Sequence, residues 1–501
     1  MSQNRDQWGS KIGFILAAVG SAVGLGNIWR YPYLLYSSGG GAFLVPYFFA
    51  LFTAGIPLMI LEYSFGHKFK GSTPLALARA NKKWEWLGWW PSFNSIVILT
   101  YYSMILGWAV NYLFLAFTQA WGSDPNGFFF GEFLSLSSGP FELGGIKWPI
   151  FFGITLIWFI NWFICYRGVS GGIEKLNKVL LPTLVGIMIL IVIRGITLPG
   201  AVVGLNKLFT PDWSKVMDPK VWIAAYGQIF FSLSLAMGVM ITYSSYLPEK
   251  TDIVNSAFMT AFANSGFEFL AAIGVFGILG FMATSQGVPV EEVVTASIGL
   301  AFVAFPKVFG LMGPLGVVFG VLFFACLVFA GLTSSVSMVE AFASAVMDKT
   351  GADRKKIVTY TAIGGYAVGV LFATGAGLYF LDIIDHFINA YGTVVIGLSE
   401  AVIVGWLYGA HKIREHVNPI SIYPVGSWWD VMVKFITPAV LVYMLISNLV
   451  TEFKAPYEGY PMSALLLLGW GVVAAIIALS FYVASKPWKE GALSYNAEEV
   501  K

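Results

Sequence analysis

Twelve apolar stretches, each long enough to cross the roughly 30 Å hydrocarbon layer of a bilayer as a helix, constrain this 501-residue chain more than any motif does. They fall near 12–35, 42–66, 92–118, 148–166, 176–198, 219–246, 254–283, 314–346, 357–380, 384–410, 430–450 and 461–485. Helices of this length close their backbone hydrogen bonds internally, whereas a barrel shows alternating segments of about ten residues. A further apolar run, 293–310, contains Pro306, Lys307 and Gly310 near its end and reads as a re-entrant or surface hairpin. Charged residues make up 11% of the chain, against about 25% in soluble proteins, so water suits little of its surface. The expected fold is all-α and integral to the membrane.

Basic residues set the orientation. With the amino terminus in the cytoplasm, 20 Lys and Arg residues lie on the inner side and 7 on the outer, with Arg30 and Lys434 within or beside helices. Both termini are then cytoplasmic, and the protein is expected as a multi-pass component of the cell's inner or plasma membrane. The apolar run after the charged start lacks a clean cleavage site and reads as a retained first span. A net charge of +2 on scattered basic patches gives nucleic acid nothing to bind. Cys165 and Cys326 both lie in apolar runs, and four dispersed histidines form no metal cluster. No nucleophile–base pair stands out, so neither enzymatic activity nor an organic cofactor is expected. Nothing in the sequence fixes an oligomeric state.

Two spans have unusual centres. The first contains GSAVGLGNIWR, Gly20 to Arg30, and the sixth contains FFSLSLAMGVM, Phe230 to Met240. Small and polar residues at mid-depth predict helix breaks, and backbone released there is tolerated only beside protein, ions or a wet cavity. First and sixth positions divide ten helices into two groups of five, and an odd count inverts the second group across the membrane. Gly172 and Pro182 form a further pair, either an ordinary helix boundary or a place where the inner end of the fifth span unwinds.

The residues at these interruptions suit a hard monovalent cation. Asn27, Ser232, Asn264, Thr333 and Ser334 offer amide and hydroxyl oxygens from four separated spans, and sodium is expected over potassium. Exposed helix amino ends favour a small anionic group such as an amino-acid carboxylate, to which Tyr102 can donate a hydrogen bond. Ile98, Phe231, Met237 and Met338 supply apolar surface for a side chain. Arg30 and Asp385 lie at depths that suit an outer gate, and Arg5 and Asp348 an inner one, with Trp8 and Tyr246 as braces. Glu62 and Glu268 are carboxylates embedded in spans, where each needs a proton, a hydrogen-bond network or a cation.

WGSKIGFILAAVGSAVGLGNIWRYP, VWIAAYGQIFFSLSLAMGVMITYSSY and FAGLTSS together resemble the neurotransmitter:sodium symporter family, especially its bacterial amino-acid transporters of the leucine transporter type, over roughly residues 5 to 450. The resemblance implies twelve helices with a five-plus-five inverted repeat and discontinuous helices 1 and 6. On that division 1–11 is a cytoplasmic segment, 12–198 the first repeat, 219–410 the second, 430–485 the last two helices and 486–501 a cytoplasmic tail. It also implies two sodium sites. One uses the Ala22 carbonyl, Asn27, Ser232, Asn264 and the substrate carboxylate; the other uses the Gly20, Val23 and Ala330 carbonyls with Thr333 and Ser334. Substrate is implied against Ser21, Ala22, Gly24, Gly26, Ile98, Tyr102, Phe231, Ser232, Ser234, Met237, Ser334 and Met338. Arg30 and Asp385, under the lid of Tyr102 and Phe231, resemble the outer gate, and Arg5, Trp8, Tyr246 and Asp348 the inner closure.

Three positions refine the expectation. Ser232 stands where familiar bacterial relatives carry threonine and keeps the hydroxyl. Gly24 stands where biogenic-amine carriers have an aspartate, so a substrate bringing its own carboxylate is favoured. Glu268 resembles the acidic substitute for chloride, and its protonation offers a route for counter-transported protons. The expected activity is sodium-coupled, chloride-independent import of a neutral, apolar amino acid by alternating access. An amino-acid sensor on a carrier fold is the alternative.

Overall fold

A computed structural model describes residues 5–294 and 297–495 of the chain. Of the expected terminal segments, 1–4 and 496–501 lie outside the described residues. Helices make up nearly all of the ordered structure, and the β-structure among the described residues is an isolated bridge between Ile146 and Thr374. Among the described residues ten helices are long and apolar enough to cross a membrane, and the bent pair Lys11–Ala22 (α1) and Leu25–Ser37 (α2) makes an eleventh. The chain is therefore a multi-pass integral membrane protein.

The ten are Gly40–Phe69 (α3), Lys82–Leu115 (α4), Trp148–Tyr166 (α5), Val169–Thr197 (α6), Ile253–Gln286, Pro314–Thr350, Arg354–Ala373, Gly377–Ile420, Ser427–Gly459 and Met462–Ala484. Between the fourth and fifth of these come Pro219–Ser232 (α7) and Val239–Ser244 (α8). Ile253–Gln286 is then α9, Pro314–Thr350 α10, Arg354–Ala373 α11, Gly377–Ile420 α12, Ser427–Gly459 α13 and Met462–Ala484 α14. The sixth sequence stretch, 219–246, is thus divided between two shorter helices and contains no single long one. The run at 293–310 forms a short apolar helix over Leu300–Leu311, too short to cross, whose Phe302 packs against Trp29, Trp108 and Tyr112.

Local chemistry explains where the central helices begin. Ser10 caps α1 by accepting from the Gly13 amide at 3.0 Å, and Asp218 caps α7 through the Lys220 amide at 2.9 Å, with Pro219 at its first position. Asp252 does the same for α9 through the Asn255 amide at 3.1 Å. Small residues then let the helices close on one another: a Cβ on Gly153 would lie 2.7 Å from the Gly107 Cα, and one on Gly204 would lie 1.8 Å from the Phe276 carbonyl. Tight packing of this kind surrounds α1, α2, α7 and α8, which sit inside the bundle. The outer helices expose Phe152, Phe159, Ile193, Phe435 and Leu467, the apolar belt expected against lipid.

Candidate functional site

The site forms where two helices stop. α1 ends at Val23 (φ −73°, ψ 92°), Gly24 is extended, and α2 leaves at 53° to α1. Asn27 secures the restart, its Oδ1 accepting from the Gly24 amide at 2.9 Å. Carbonyls freed at the end of α1 are met by side chains: Ser21 O accepts from Ser234 Oγ at 3.0 Å and Ser334 Oγ at 3.1 Å, and Gly20 O from Ser334 Oγ at 3.4 Å.

Six residues, Leu233 to Gly238, separate α7 from α8. Ser234, Ala236 and Gly238 have φ of 52°, 58° and 70°. Such left-handed backbone costs about 1–2 kcal/mol for each residue carrying a Cβ, so the surroundings must hold it. They do so through the Ala236 amide donating to Glu62 Oε1 at 2.8 Å, Ser95 donating to the Met237 carbonyl at 2.6 Å and Thr73 donating to the Gly238 carbonyl at 3.1 Å. Glu62 is therefore an anchor of this segment.

Between the two interruptions three side chains converge, all buried. Asn27 Nδ2 donates to Asn264 Oδ1 at 2.8 Å and to Ser232 Oγ at 3.3 Å, and Asn264 Nδ2 donates to Ser232 Oγ at 2.5 Å. One turn further along α9, Glu268 is fully buried and accepts from the Tyr47 hydroxyl and, at 2.6 Å, from Gln228 Nε2. Tyr47 and Gln228 escaped the sequence reading, because a lone Tyr or Gln in an apolar run signals nothing until the fold aims it at a carboxylate.

A second polar group lies beside α1 on α10. Thr333 Oγ1 donates to Ala330 O at 2.9 Å, and Ser334 Oγ reaches the same carbonyl at 3.3 Å as well as the end of α1. Asn177, on α6, was also missed. It is fully buried, its Oδ1 has no hydrogen-bond partner among the described residues, and a Cβ on Gly20 would lie 2.1 Å from that oxygen and 3.2 Å from the Thr333 Cβ. An unpartnered buried oxygen beside carbonyl and hydroxyl oxygens suits a hard cation.

A cavity of about 500 Å³ opens from one end of the molecule down to Gly26, Ile98, Tyr102, Phe231 and Met338. Tyr102 OH lies 3.5 Å from the Leu25 amide at the start of α2. A Cβ on Gly24 would come within 3.1 Å of Ser334 Oγ and 3.3 Å of Tyr102 OH, and one on Gly26 within 2.6 Å of the Phe231 ring, so both glycines keep the backbone bare here. Ser21, Ala22, Ser232, Ser234, Met237 and Ser334 are buried behind this surface and do not line the cavity. Ser21 Oγ pairs with Ser337 Oγ at 2.8 Å.

Arg30 and Asp385 both stand in the cavity mouth without meeting. Arg30 lies 5.1 Å over the Phe231 ring, while Asp385 accepts from Tyr101 OH and Asn389 Nδ2, each at 2.8 Å. At the opposite end Arg5 and Asp348 are 2.7 Å apart, Arg5 also donates to Ser245, and Trp8 Nε1 donates to the Tyr243 carbonyl at 2.8 Å. Tyr246 lies 4.8 Å under the Arg5 guanidinium and donates to Glu340 at 2.6 Å. Glu340 and Arg354, absent from the expected closure, extend it through two bonds of 2.7 Å, and Asp6 joins Arg354 at 2.8 Å.

Residues 5–124 and 122–490 match the sodium:neurotransmitter symporter family. The chain belongs to that family. It is 44% identical over 480 residues to an uncharacterized sodium-dependent transporter of Methanocaldococcus jannaschii, covering 96% of each chain. It is 31% identical over 520 residues to the sodium- and chloride-dependent taurine transporter of Canis lupus familiaris, covering 93% of this chain and 82% of that one. Against the human sodium- and chloride-dependent GABA transporter 2 the values are 30% over 528 residues, 97% and 86%. As a symporter of this family the protein is a sodium-coupled secondary transporter that moves a small organic solute across the bilayer by alternating access, not an enzyme.

Proposed function

We propose that this symporter imports a neutral, apolar amino acid with two sodium ions and without chloride. The observation that carries the reading is the convergence of Asn27, Ser232 and Asn264 at 2.5–3.3 Å beside two helix ends, with the carboxylate of Glu268 one turn away. In this reading α7 and α8 are the two halves of a twelfth span, the second discontinuous helix. Residues 12–198 and 219–410 are then the inverted repeats, and the end holding Arg5 and Asp348 faces the cytoplasm.

The first sodium takes the Ala22 carbonyl, Asn27, Ser232, Asn264 and the substrate carboxylate. The second takes the Gly20, Val23 and Ala330 carbonyls with Thr333 and Ser334. Substrate carboxylate lies at the start of α2, where free amides and the helix dipole favour an anion, and Tyr102 donates to it. Its side chain lies among Ile98, Phe231 and Met338, with Met237 packed behind them. The taurine and GABA carriers named above also take small solutes that bear both an amine and an acidic group, and their names include chloride. Here Glu268 supplies a fixed negative charge, so the anion is not needed, and its protonation after sodium release would return a proton outward. Sodium joined to substrate carboxylate makes each ligand raise the affinity for the other, which couples the two gradients by linkage.

Reconstituted vesicles test this directly. With no membrane potential, a tenfold sodium gradient supports roughly a hundredfold accumulation when two ions are coupled and roughly tenfold when one is, since each tenfold ratio is worth about 1.4 kcal/mol. Replacing chloride with gluconate is expected to leave uptake intact. Thr333→Ala is expected to lower the accumulation ratio toward the one-ion value. Loss of uptake without chloride, or sodium activation unchanged in Thr333→Ala, would sink the corresponding part of the reading.

A further inference from the structure

A second cavity, larger than the central one, is a groove of about 800 Å³ on the lipid-facing side, formed by α4, α10, α11, α12 and α14. Its lining is almost wholly apolar, and it follows α11 from Ile357 to Phe372. At 1.5 Å per residue that is roughly 22 Å, most of the thickness of a hydrocarbon core. Gly365 permits the groove by letting α11 close on α5, since a Cβ there would meet the Trp158 ring at 2.1 Å. Its neighbour Gly364 faces the open side, where an added Cβ would have no atom within 4 Å. Water has no place at this depth, so the groove takes hydrocarbon.

The two ends of the groove differ in charge. At one end, near Leu143, the flanking chain carries one acid and one base, Glu142 and Lys147. The other end is marked by Val346, Ile357 and Tyr360. There Lys82 and Lys83 begin α4, Lys355 and Lys356 begin α11, and Lys486 and Lys489 follow α14. The Lys349–Glu85 pair and the 2.7 Å bond from Trp488 Nε1 to Glu85 draw the ends of α4, α10 and α14 to one level, and three residues separate the end of α10 from the start of α11. Lys356 lies 6.0 Å over the Tyr360 ring, and Lys489 packs on Gly351, five residues beyond Val346. None of these six lysines is in an ion pair among the described residues, and Asp353 and Glu490 are the acids interspersed with them.

We propose that this groove is a binding site for an anionic phospholipid, with an acyl chain along α11 and the phosphate among the lysines at the Tyr360 end. Hydrocarbon fit holds any lipid, and the lysines select the anionic one. The proposal is independent of which solute is carried and of the sodium sites.

Native mass spectrometry of the full-length protein, delipidated in detergent and titrated with dioleoylphosphatidylglycerol or dioleoylphosphatidylcholine, tests it. Phosphatidylglycerol is expected to bind at least roughly tenfold tighter, given about fivefold per nearby lysine. Lys356→Gln with Lys486→Gln is expected to erase that preference while phosphatidylcholine binding stays unchanged. Gly364→Phe, which places a ring in open space, is expected to weaken both lipids at least tenfold at an unchanged melting temperature. Equal binding of the two lipids, or undiminished phosphatidylglycerol binding in a folded Gly364→Phe, overturns the proposal. So does a dimer that Gly364→Phe separates without loss of lipid, which would give the groove to a second copy of the chain. If Gly364→Phe fails to fold, the lysine variant decides alone.

Discussion

The two ends of the central pathway carry the same kind of pair, an arginine and an aspartate, with one arginine just before the first spanning unit and the other within it, yet one end is closed and the other open. Arg5 and Asp348 are joined at 2.7 Å and embedded in a network that takes in Ser245, Tyr246, Glu340 and Arg354, while Arg30 and Asp385 stand apart across an open mouth. The difference lies in what else each aspartate bonds. Asp348 accepts from the Ser72 amide through Oδ2 and from Arg5 through Oδ1, whereas Tyr101 and Asn389 both hold Asp385 through Oδ1, in a position that does not reach Arg30. Burial by itself would lower the Arg5 pKa, but Asp348 and Tyr246 outweigh it and raise it, so the arginine stays charged where the pair needs it. The geometry is that of a carrier closed at the Arg5 end and accessible at the Arg30 end, and the two gates differ in how firmly they are set.

The strongest way to break this asymmetry is to remove Arg5. Taking one partner from a partly buried charge pair costs on the order of 3 kcal/mol, about a hundredfold in the population of the closed end. Arg5→Ala is expected to cut gradient-driven uptake more than tenfold. Amide hydrogen exchange over 8–13 and 239–247 should rise at least tenfold, with exchange around Arg30 unchanged or slower. Equal exchange in variant and parent would mean that the network is a fastening on a closed state set elsewhere.

The opposite end allows a subtler test. The Tyr101 hydroxyl holds Asp385 Oδ1 in a position that does not reach Arg30, and a hydrogen bond to a carboxylate is worth about 1.5–3 kcal/mol. Tyr101→Phe is expected to release Asp385 toward Arg30, favour the closed mouth and raise apparent substrate affinity roughly fivefold, while turnover falls because the mouth reopens more slowly. Weaker affinity in this variant would show that Tyr101 positions Asp385 for closure and does not restrain it.

Much of the central site was written in the sequence. Asn27, Ser232, Asn264, Glu62 and Glu268 are polar residues in apolar stretches, and the cost of burying them is itself the signal. The breaks were legible for the same reason, because Gly24 and Gly238 stand among residues that otherwise ask for helix. Helix limits were less so: α4 begins at Lys82 where the apolar pattern starts at 92, since Glu85 and Lys349 neutralise each other and let the helix run past the lipid. Asn177, Gln228 and the Glu340–Arg354 extension were hidden because their roles depend on helices that meet only in the folded bundle. The state of the gates was also hidden, as sequence records which charges exist and not which are joined.

The smallest effect separates the ends by pH. Lys70, just beyond α3, packs at the closed end with Nζ donating to the Leu247 carbonyl, and burial lowers its pKa to about 8, against a partial opposing effect of Glu249. An unfolded or opened chain holds this lysine nearer 10.5, so it binds more protons than the closed form at any pH between the two values. The closed end is therefore stabilised as pH rises, by about 1 kcal/mol between pH 7 and 9, and below pH 8 the penalty of a buried ammonium is nearly full. Thermal unfolding at the two pH values is expected to show this gain in the parent and to lose it in Lys70→Met, which should also be the more stable protein at pH 7. A gain that persists in Lys70→Met would assign the proton to another group. Because Arg30 and Asp385 do not share this lysine, exchange at the open end should follow pH alike in both proteins, and a parallel change there would mean that the two gates are coupled through the bundle rather than set independently.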